Sequence, residues 1–249
     1  MRKTILFVMT LLTAVALYAE EGEQNLGFNL GFSDVILRER SSAATTKLDS
    51  KSPLYGIKAG IVYQNTMIAG FGVQLGLNYT FGTHLGKPQP VDGNISTLLE
   101  KKTDWYYHQL EIPIDWQYQF EIAKETYLII YTGPTLNVGL SLKRIDLEDK
   151  LKGNFYTGEL ITDRKEYQLY DKNYDADGDG NRDYFRTNVM WGVGAGFRYK
   201  RYFLRGGYDF GITNPYRDRY FDISTGNQWR RKGRFDQWSI KLGIYLWQF

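Results

Sequence analysis

The chain has 249 residues, a formal net charge of +3, no cysteine, 26 glycines, 6 prolines and 16% aromatic residues, with tyrosine the commonest at 20. Without cysteine it can hold no disulfide, no thiolate metal centre and no lipidated-cysteine anchor. So small a charge gives no argument for nucleic acid, and no later segment reaches the ~18 consecutive apolar residues of a membrane-spanning helix.

In chain order, the first element is an export signal. Arg2 and Lys3 precede an apolar run from Ile5 to Leu17, and Ala19 is followed by Glu20-Glu21. This layout predicts a secretory signal peptide over residues 1–19, cleaved after Ala19. The apolar run is shorter than the roughly 20 residues a bilayer-crossing helix needs. Residues 20–249 are then one exported domain, a destination that also removes nucleic acid as a partner.

Beyond the signal, period two dominates. From Met67 the odd positions read Met67, Ala69, Phe71, Val73, Leu75, Leu77, Tyr79, Phe81, and the even ones Gly70, Gly72, Gln74, Gly76, Asn78, Thr80, Gly82, with Ile68 the exception. The run is far longer than the roughly 5–6 residues of a typical soluble strand. It is long enough for the ~9–11 residues of a tilted transmembrane strand plus an extension. The pattern predicts eight strands, near Gln24–Leu37, Leu54–Gln64, Met67–Gly82, Thr103–Phe120, Thr126–Leu142, Tyr184–Lys200, Tyr202–Thr213 and Phe235–Phe249. Short turns fall at Asn65-Thr66, Glu121–Glu125 and Lys200-Arg201, whereas the connections 38–53, 83–102, 143–183 and 214–234 are long.

The expected fold class is therefore all-β: an eight-stranded antiparallel transmembrane β-barrel of an outer membrane. Both termini and the short turns are expected on the periplasmic side, with four long loops outside the cell. Lipid is one expected partner. A closed ring is required physically, because lipid cannot satisfy the backbone groups of an open sheet edge. The barrel-assembly machinery is a second expected partner, reading Tyr245, Trp247 and Phe249 of the last strand as an assembly signal. The apolar phase there is Trp238, Ile240, Leu242, Ile244 and Leu246, opposite to that of the terminal aromatics. Either a β-bulge near Tyr245 resets the register, or the aromatics lie in the interfacial girdle.

Several segments together resemble the PorT-like outer-membrane β-barrel family of the Bacteroidetes type. They are His108-Gln109-Leu110-Glu111-Ile112-Pro113-Ile114, Gly133-Pro134, Gly192-Val193-Gly194-Ala195-Gly196 and Tyr208-Asp209-Phe210-Gly211-Ile212-Thr213-Asn214. The resemblance spans the exported chain and implies the barrel architecture. Its founding member is tied to a secretion system, so a role in a secretion or assembly complex is one implied alternative.

An eight-stranded barrel is only wide enough inside for side chains to fill it. The inward phase supplies Lys58, Glu111, Asp115, Arg186, Arg198, Arg205 and Asp209, charges of both signs on neighbouring strands, with the polar Gln117. They are expected to pair into an ionic plug; a narrow ion or proton path through the same residues is the alternative.

The third long loop carries Asp175, Asp177, Asp179, Asn181 and Asp183 with Gly178 and Gly180, which matches the first part of a calcium-binding loop. Position 12 is Arg186 rather than a bidentate Glu, so a solvated acidic turn is the competing reading. No cofactor other than this calcium ion is expected. The fourth loop is basic and aromatic. It carries Tyr216, Arg217, Arg219, Tyr220, Trp229, Arg230 and Arg231 with Lys232 and Arg234. That composition suits lipopolysaccharide phosphates, an acidic glycan or a protein partner, or else pairing with the acidic third loop. Catalysis is not expected. Lipid A-modifying barrels rely on a His with a Ser and an acid, whereas the two histidines, His84 and His108, have neither Ser96 nor Ser141 convergent with them by spacing. The expected function is a non-enzymatic surface barrel whose loops bind a ligand or partner or support the envelope.

Overall fold

The computed structural model describes residues 22–40, 49–90, 98–152, 159–171, 184–216, 219–222, 227–230 and 232–248. Eight long strands are β1 (Glu23–Arg40), β2 (Asp49–Thr66), β3 (Phe71–His84), β4 (Leu98–Ala123), β5 (Thr126–Lys152), β6 (Thr187–Tyr199), β7 (Tyr202–Gly211) and β8 (Lys232–Gln248). Each pairs antiparallel with the next. Pairing of β8 with β1 closes the ring, so no open edge faces lipid along the shared barrel. The expected fold class holds.

Side chains alternate as the strand pleat demands. On β3, Phe71, Leu77, Tyr79 and Phe81 are exposed on the outside, whereas Gln74, Asn78 and Thr80 are buried inside. The barrel is thus apolar outside and polar inside, the reverse of a soluble protein, as a lipid solvent selects.

Two of the three short turns differ from the sequence reading. Asn65 and Thr66 are not the β2–β3 turn; they pair with Val73 and Gly72. A single 3-10 turn, Ile68–Gly70, makes the reversal, with Ala69 at φ 61 and Gly70 at φ 83. The break in alternation at Ile68 is its trace in the sequence. Lys124-Glu125 alone joins β4 to β5, and Lys200-Arg201 joins β6 to β7. Glu125 and Lys200 carry the positive φ of these tight reversals.

The long connections hold more sheet than expected. β4 and β5 run beyond the ring, where β5 also pairs with a strand at Glu159–Gln168. Part of the expected third loop is therefore a three-stranded sheet projecting from the barrel. A separate two-stranded pair, Arg219–Asp222 with Asn227–Arg230, lies in the fourth connection.

In β8 the register shifts: Gly27 opposes Tyr245, and Leu26 opposes Trp247, leaving Leu246 as the extra residue. This is a β-bulge. Tyr245 is 0% exposed inside the barrel, while Leu246 and Trp247 are exposed. The bulge, and not a girdle position for Tyr245, resolves the phase conflict in the sequence.

Candidate functional site: the barrel interior and its two ends

Alternation directs the charged residues of six strands into the interior. Lys58 Nζ of β2 lies 2.5 Å from Glu111 Oε2 of β4, with both side chains buried. Glu111 Oε1 also accepts Thr80 Oγ1 at 2.5 Å and Gln109 Nε2 at 2.9 Å, and Gln237 Nε2 reaches the carboxylate at 3.3 Å. One carboxylate thus ties β2, β3, β4 and β8 together. Deeper in, Arg205 of β7 lies 3.4 Å from Asp115 of β4 and hydrogen-bonds Gln74 of β3. Its guanidinium stacks 4.0 Å from the Tyr131 ring centroid. Charges taken out of water this way persist only when paired and hydrogen-bonded.

At the terminal end, Arg198 pairs with Glu23 and sits over the Tyr127 and Tyr245 rings. The Tyr245 hydroxyl donates to Gln64, and its ring packs on Phe203 at 4.7 Å. Outside this floor is a cleft of about 490 Å³ lined by Glu23, Tyr127, Arg198, Lys200, Arg201 and Tyr202, among others.

At the other end the interior becomes apolar. Val35, Leu37, Leu54, Tyr107, Leu142, Met190 and Phe235 point inward there. Leu169 and Tyr170 fold back over them, as do Tyr184 and Tyr216, whose rings lie 5.1 Å apart. Burial pushes the Tyr170 hydroxyl pKa up, so it stays neutral. The remaining void here is about 20 Å³, room for roughly one water.

Of the residues singled out by sequence, Lys58, Glu111, Asp115, Arg198 and Arg205 meet as ion pairs in the interior. Arg198 does so with Glu23, a partner that sequence reasoning missed. Arg186 is corrected: it precedes β6, is exposed, and donates to the Tyr170 carbonyl at 2.9 Å. β6 starts at Thr187, three residues later than expected. Asp209 and Lys241 both face inward, and neither makes a close ion pair among the described residues; their charges act on each other at longer range. Lys241 was also missed, although its place between Ile240 and Leu242 on an alternating strand marks it.

Tyr216 is a second correction. It is 2% exposed, part of the buried cap and not of an outer surface. Arg219 opposes Arg230 and Tyr220 opposes Trp229 in the two-stranded pair. Arg217, Arg231 and Phe249 lie outside the described residues, as do Asp175, Asp177, Asp179, Asn181 and Asp183 and residues 1–19. Among the described residues no cluster of three or more His, Asp or Glu could hold a metal ion.

His108 and Ser141 are register partners on β4 and β5, a proximity that spacing did not reveal. His108 Nδ1 is taken by the Tyr79 hydroxyl at 2.5 Å, and Ser141 Oγ accepts Gln168 Nε2 at 2.7 Å. No hydrogen bond joins His108 to Ser141 among the described residues; each is engaged by a different partner. The His108 ring packs on Phe81 at 4.9 Å, in the outer aromatic band.

The family model described as "Outer membrane protein beta-barrel domain" matches residues 21–217. The chain belongs to this outer-membrane β-barrel family. That membership places it in an outer membrane and agrees with the closed eight-stranded ring. No curated protein matches the chain in sequence. Among solved structures, it is similar to Ail, the attachment invasion locus protein of Yersinia pestis, at 10% identity and a TM-score of 0.37, over 92% of this chain and 99% of that one. A structure of Ail with the heparin analogue sucrose octasulfate gives 13% identity and a TM-score of 0.37, with the same coverage. Neisserial surface protein A matches at 11% identity and a TM-score of 0.34, over 88% of this chain and 97% of that one.

Proposed function

We propose that this outer-membrane barrel is a non-enzymatic surface platform: a barrel closed to solutes, whose long-connection end faces outward and binds a ligand or partner or supports the envelope. The observation that carries the reading is the contrast between interior and rim. The interior holds paired charges beneath an apolar cap, whereas the projecting sheet of β4, β5 and Glu159–Gln168 presents a dense charged surface. Binding residues are commonly mounted on such projections from a rigid scaffold. On this reading residues 1–19 are the cleaved export signal and the short turns are periplasmic. A calcium ion ordering residues 175–183 belongs to the same proposal; calorimetry with Asp177→Ala/Asp179→Ala as the control tests it.

Three measurements test the platform. A Thr162→Cys variant is labelled in intact cells by a membrane-impermeant maleimide, which fails if the long-connection end is periplasmic. The folded protein gives no steady conductance in a planar bilayer. Replacing residues 143–168 with a short turn changes surface crosslinks or detergent sensitivity; an unchanged envelope and unchanged crosslinks overturn the platform.

A second reading, a periplasm-facing component of a secretion or assembly complex, is favoured by the terminal cleft with Arg198, Lys200 and Arg201 and fits the PorT-like resemblance. It survives loss of residues 143–168 and fails on charge reversal at Lys200 and Arg201.

A further inference from the structure

The outer wall formed by β8, β1 and β2 changes character along its height. Midway, its outward side chains are apolar and at least half exposed: Leu30, Ile57, Ile240 and Leu242. An aromatic row follows, in which Phe32 lies 6.2 Å from Tyr55 and 5.5 Å from Trp238. Rings of this kind mark the boundary between hydrocarbon and headgroups. Immediately beyond them, Arg38 Nε lies 2.6 Å from Asp236 Oδ2, and Arg234 Nε lies 3.2 Å from the same oxygen. Arg38 also donates to the Tyr208 hydroxyl at 3.3 Å, and Tyr208 is the register partner of Trp238. The Arg38 guanidinium therefore reaches back to the level of the aromatic row.

Two guanidiniums share one carboxylate oxygen here, and each has five N–H donors. Arg234 remains 51% exposed in its side chain and Arg38 37%, so donors are left facing the headgroup layer. The other nearby carboxylate, Asp34, is turned to the Trp238 indole, accepting Nε1 at 3.0 Å. Arg38 and Arg234 are register partners on β1 and β8, so two guanidiniums meet the single carboxylate of Asp236. The β4–β5 wall differs: there Lys143 is neutralised by Glu166 at 2.5 Å.

We propose that the β8–β1–β2 wall is a binding site for a phosphorylated glycolipid of the outer leaflet, with Arg38 and Arg234 holding its phosphate groups. Arg38 and Arg234 stand on neighbouring strands ~4.8 Å apart, so two guanidiniums face the headgroup layer side by side. Such a pair suits the doubly charged phosphate monoesters of a sugar headgroup better than a single phosphodiester. The broad apolar wall below takes several acyl chains. Guanidinium offers phosphate paired N–H donors, which a lysine cannot.

The site rests on the outward orientation of the long-connection end. A binding test in detergent does not depend on orientation, whereas the Thr162→Cys labelling does, so the two fail separately. The folded protein is titrated with bisphosphorylated lipid A and read by native mass spectrometry. Arg38→Gln/Arg234→Gln weakens binding about tenfold, and removing both phosphates from the lipid does the same. Lys143→Gln leaves binding unchanged, and inorganic phosphate does not compete. Gel migration of unheated samples reports folding; if the double variant does not fold, Arg234→Gln alone weakens binding about threefold. Equal binding by the arginine variants, equal binding of the dephosphorylated lipid or of phosphatidylglycerol, or displacement by inorganic phosphate overturns the site.

Discussion

Lys58 and Glu111 stand on strands separated by β3, yet their charged atoms are 2.5 Å apart inside the barrel, each fully withdrawn from water. Glu111 also gathers hydrogen bonds from Thr80, Gln109 and Gln237. Removing one member leaves an uncompensated buried charge. Lys58→Met is expected to cost about 3–5 kcal/mol, and Lys58→Met/Glu111→Leu to cost clearly less. Equilibrium unfolding in urea from lipid vesicles measures both, and equal losses would falsify the pairing.

Inward glycines receive the large rings of the interior. A Cβ at Gly82 would run into the Tyr107 ring, and one at Gly194 into the Tyr131 ring. Gly82→Ala must push Tyr107 out of the apolar cap, an overpacking expected to cost about 1–3 kcal/mol. A Cβ at Gly206 would make only ordinary contacts, with the Ser239 carbonyl at 3.9 Å and an Ile240 carbon at 4.0 Å, so Gly206→Ala is the control. Equal unfolding midpoints for the two variants would contradict the slot at Gly82.

The projecting sheet should loosen in acid. Hydrogen bonding to Lys143 and then Arg164 holds the Glu166 carboxyl below its usual range, and Lys150 does the same for Asp163 and Glu148. A carboxyl depressed in the folded state adds stability above its unfolded pKa of about 4 and loses it as pH falls through the folded value. These groups are exposed, so the effect is small and local. Amide exchange over 143–152 and 159–168 is expected to speed up below about pH 4, after correction for intrinsic rates, while the ring strands stay protected. Uniform exchange across pH contradicts this.

Deleting Leu246 removes the bulge. Trp247 then follows Tyr245 directly, still opposite Leu26, so Tyr245 keeps its inward face and Trp247 its outward one. Folded yield in vesicles is expected to be retained, whereas deleting Ile244, which turns Tyr245 away from Gln64 and Phe203, should lower it sharply.

Much of the ring was legible because lipid outside and polar side chains inside impose strict alternation. Strand boundaries near the long connections were not. Val35 and Leu37 continue the inward phase of Asn29 and Ser33 but are apolar, a switch that marks the cap and reads like the start of a loop. Glu23 was invisible as the partner of Arg198 because the two meet only across the closed barrel. Arg186 follows the inward phase by count, yet the strand begins after it. The Arg38–Asp236–Arg234 cluster joins residues on strands that become neighbours only at closure, so no local pattern announces it.

The seam between β1 and β8 has a kinetic consequence. Asn25 pairs with Gln248, and Arg40 with Lys232. β1 therefore has no partner on that edge until nearly all the chain is available, and loop-closure entropy makes contacts of such sequence separation slow to form. Until then both edge strands can pair with other chains. The final strand is the clasp of the barrel, and until it arrives one edge of β1 stays open.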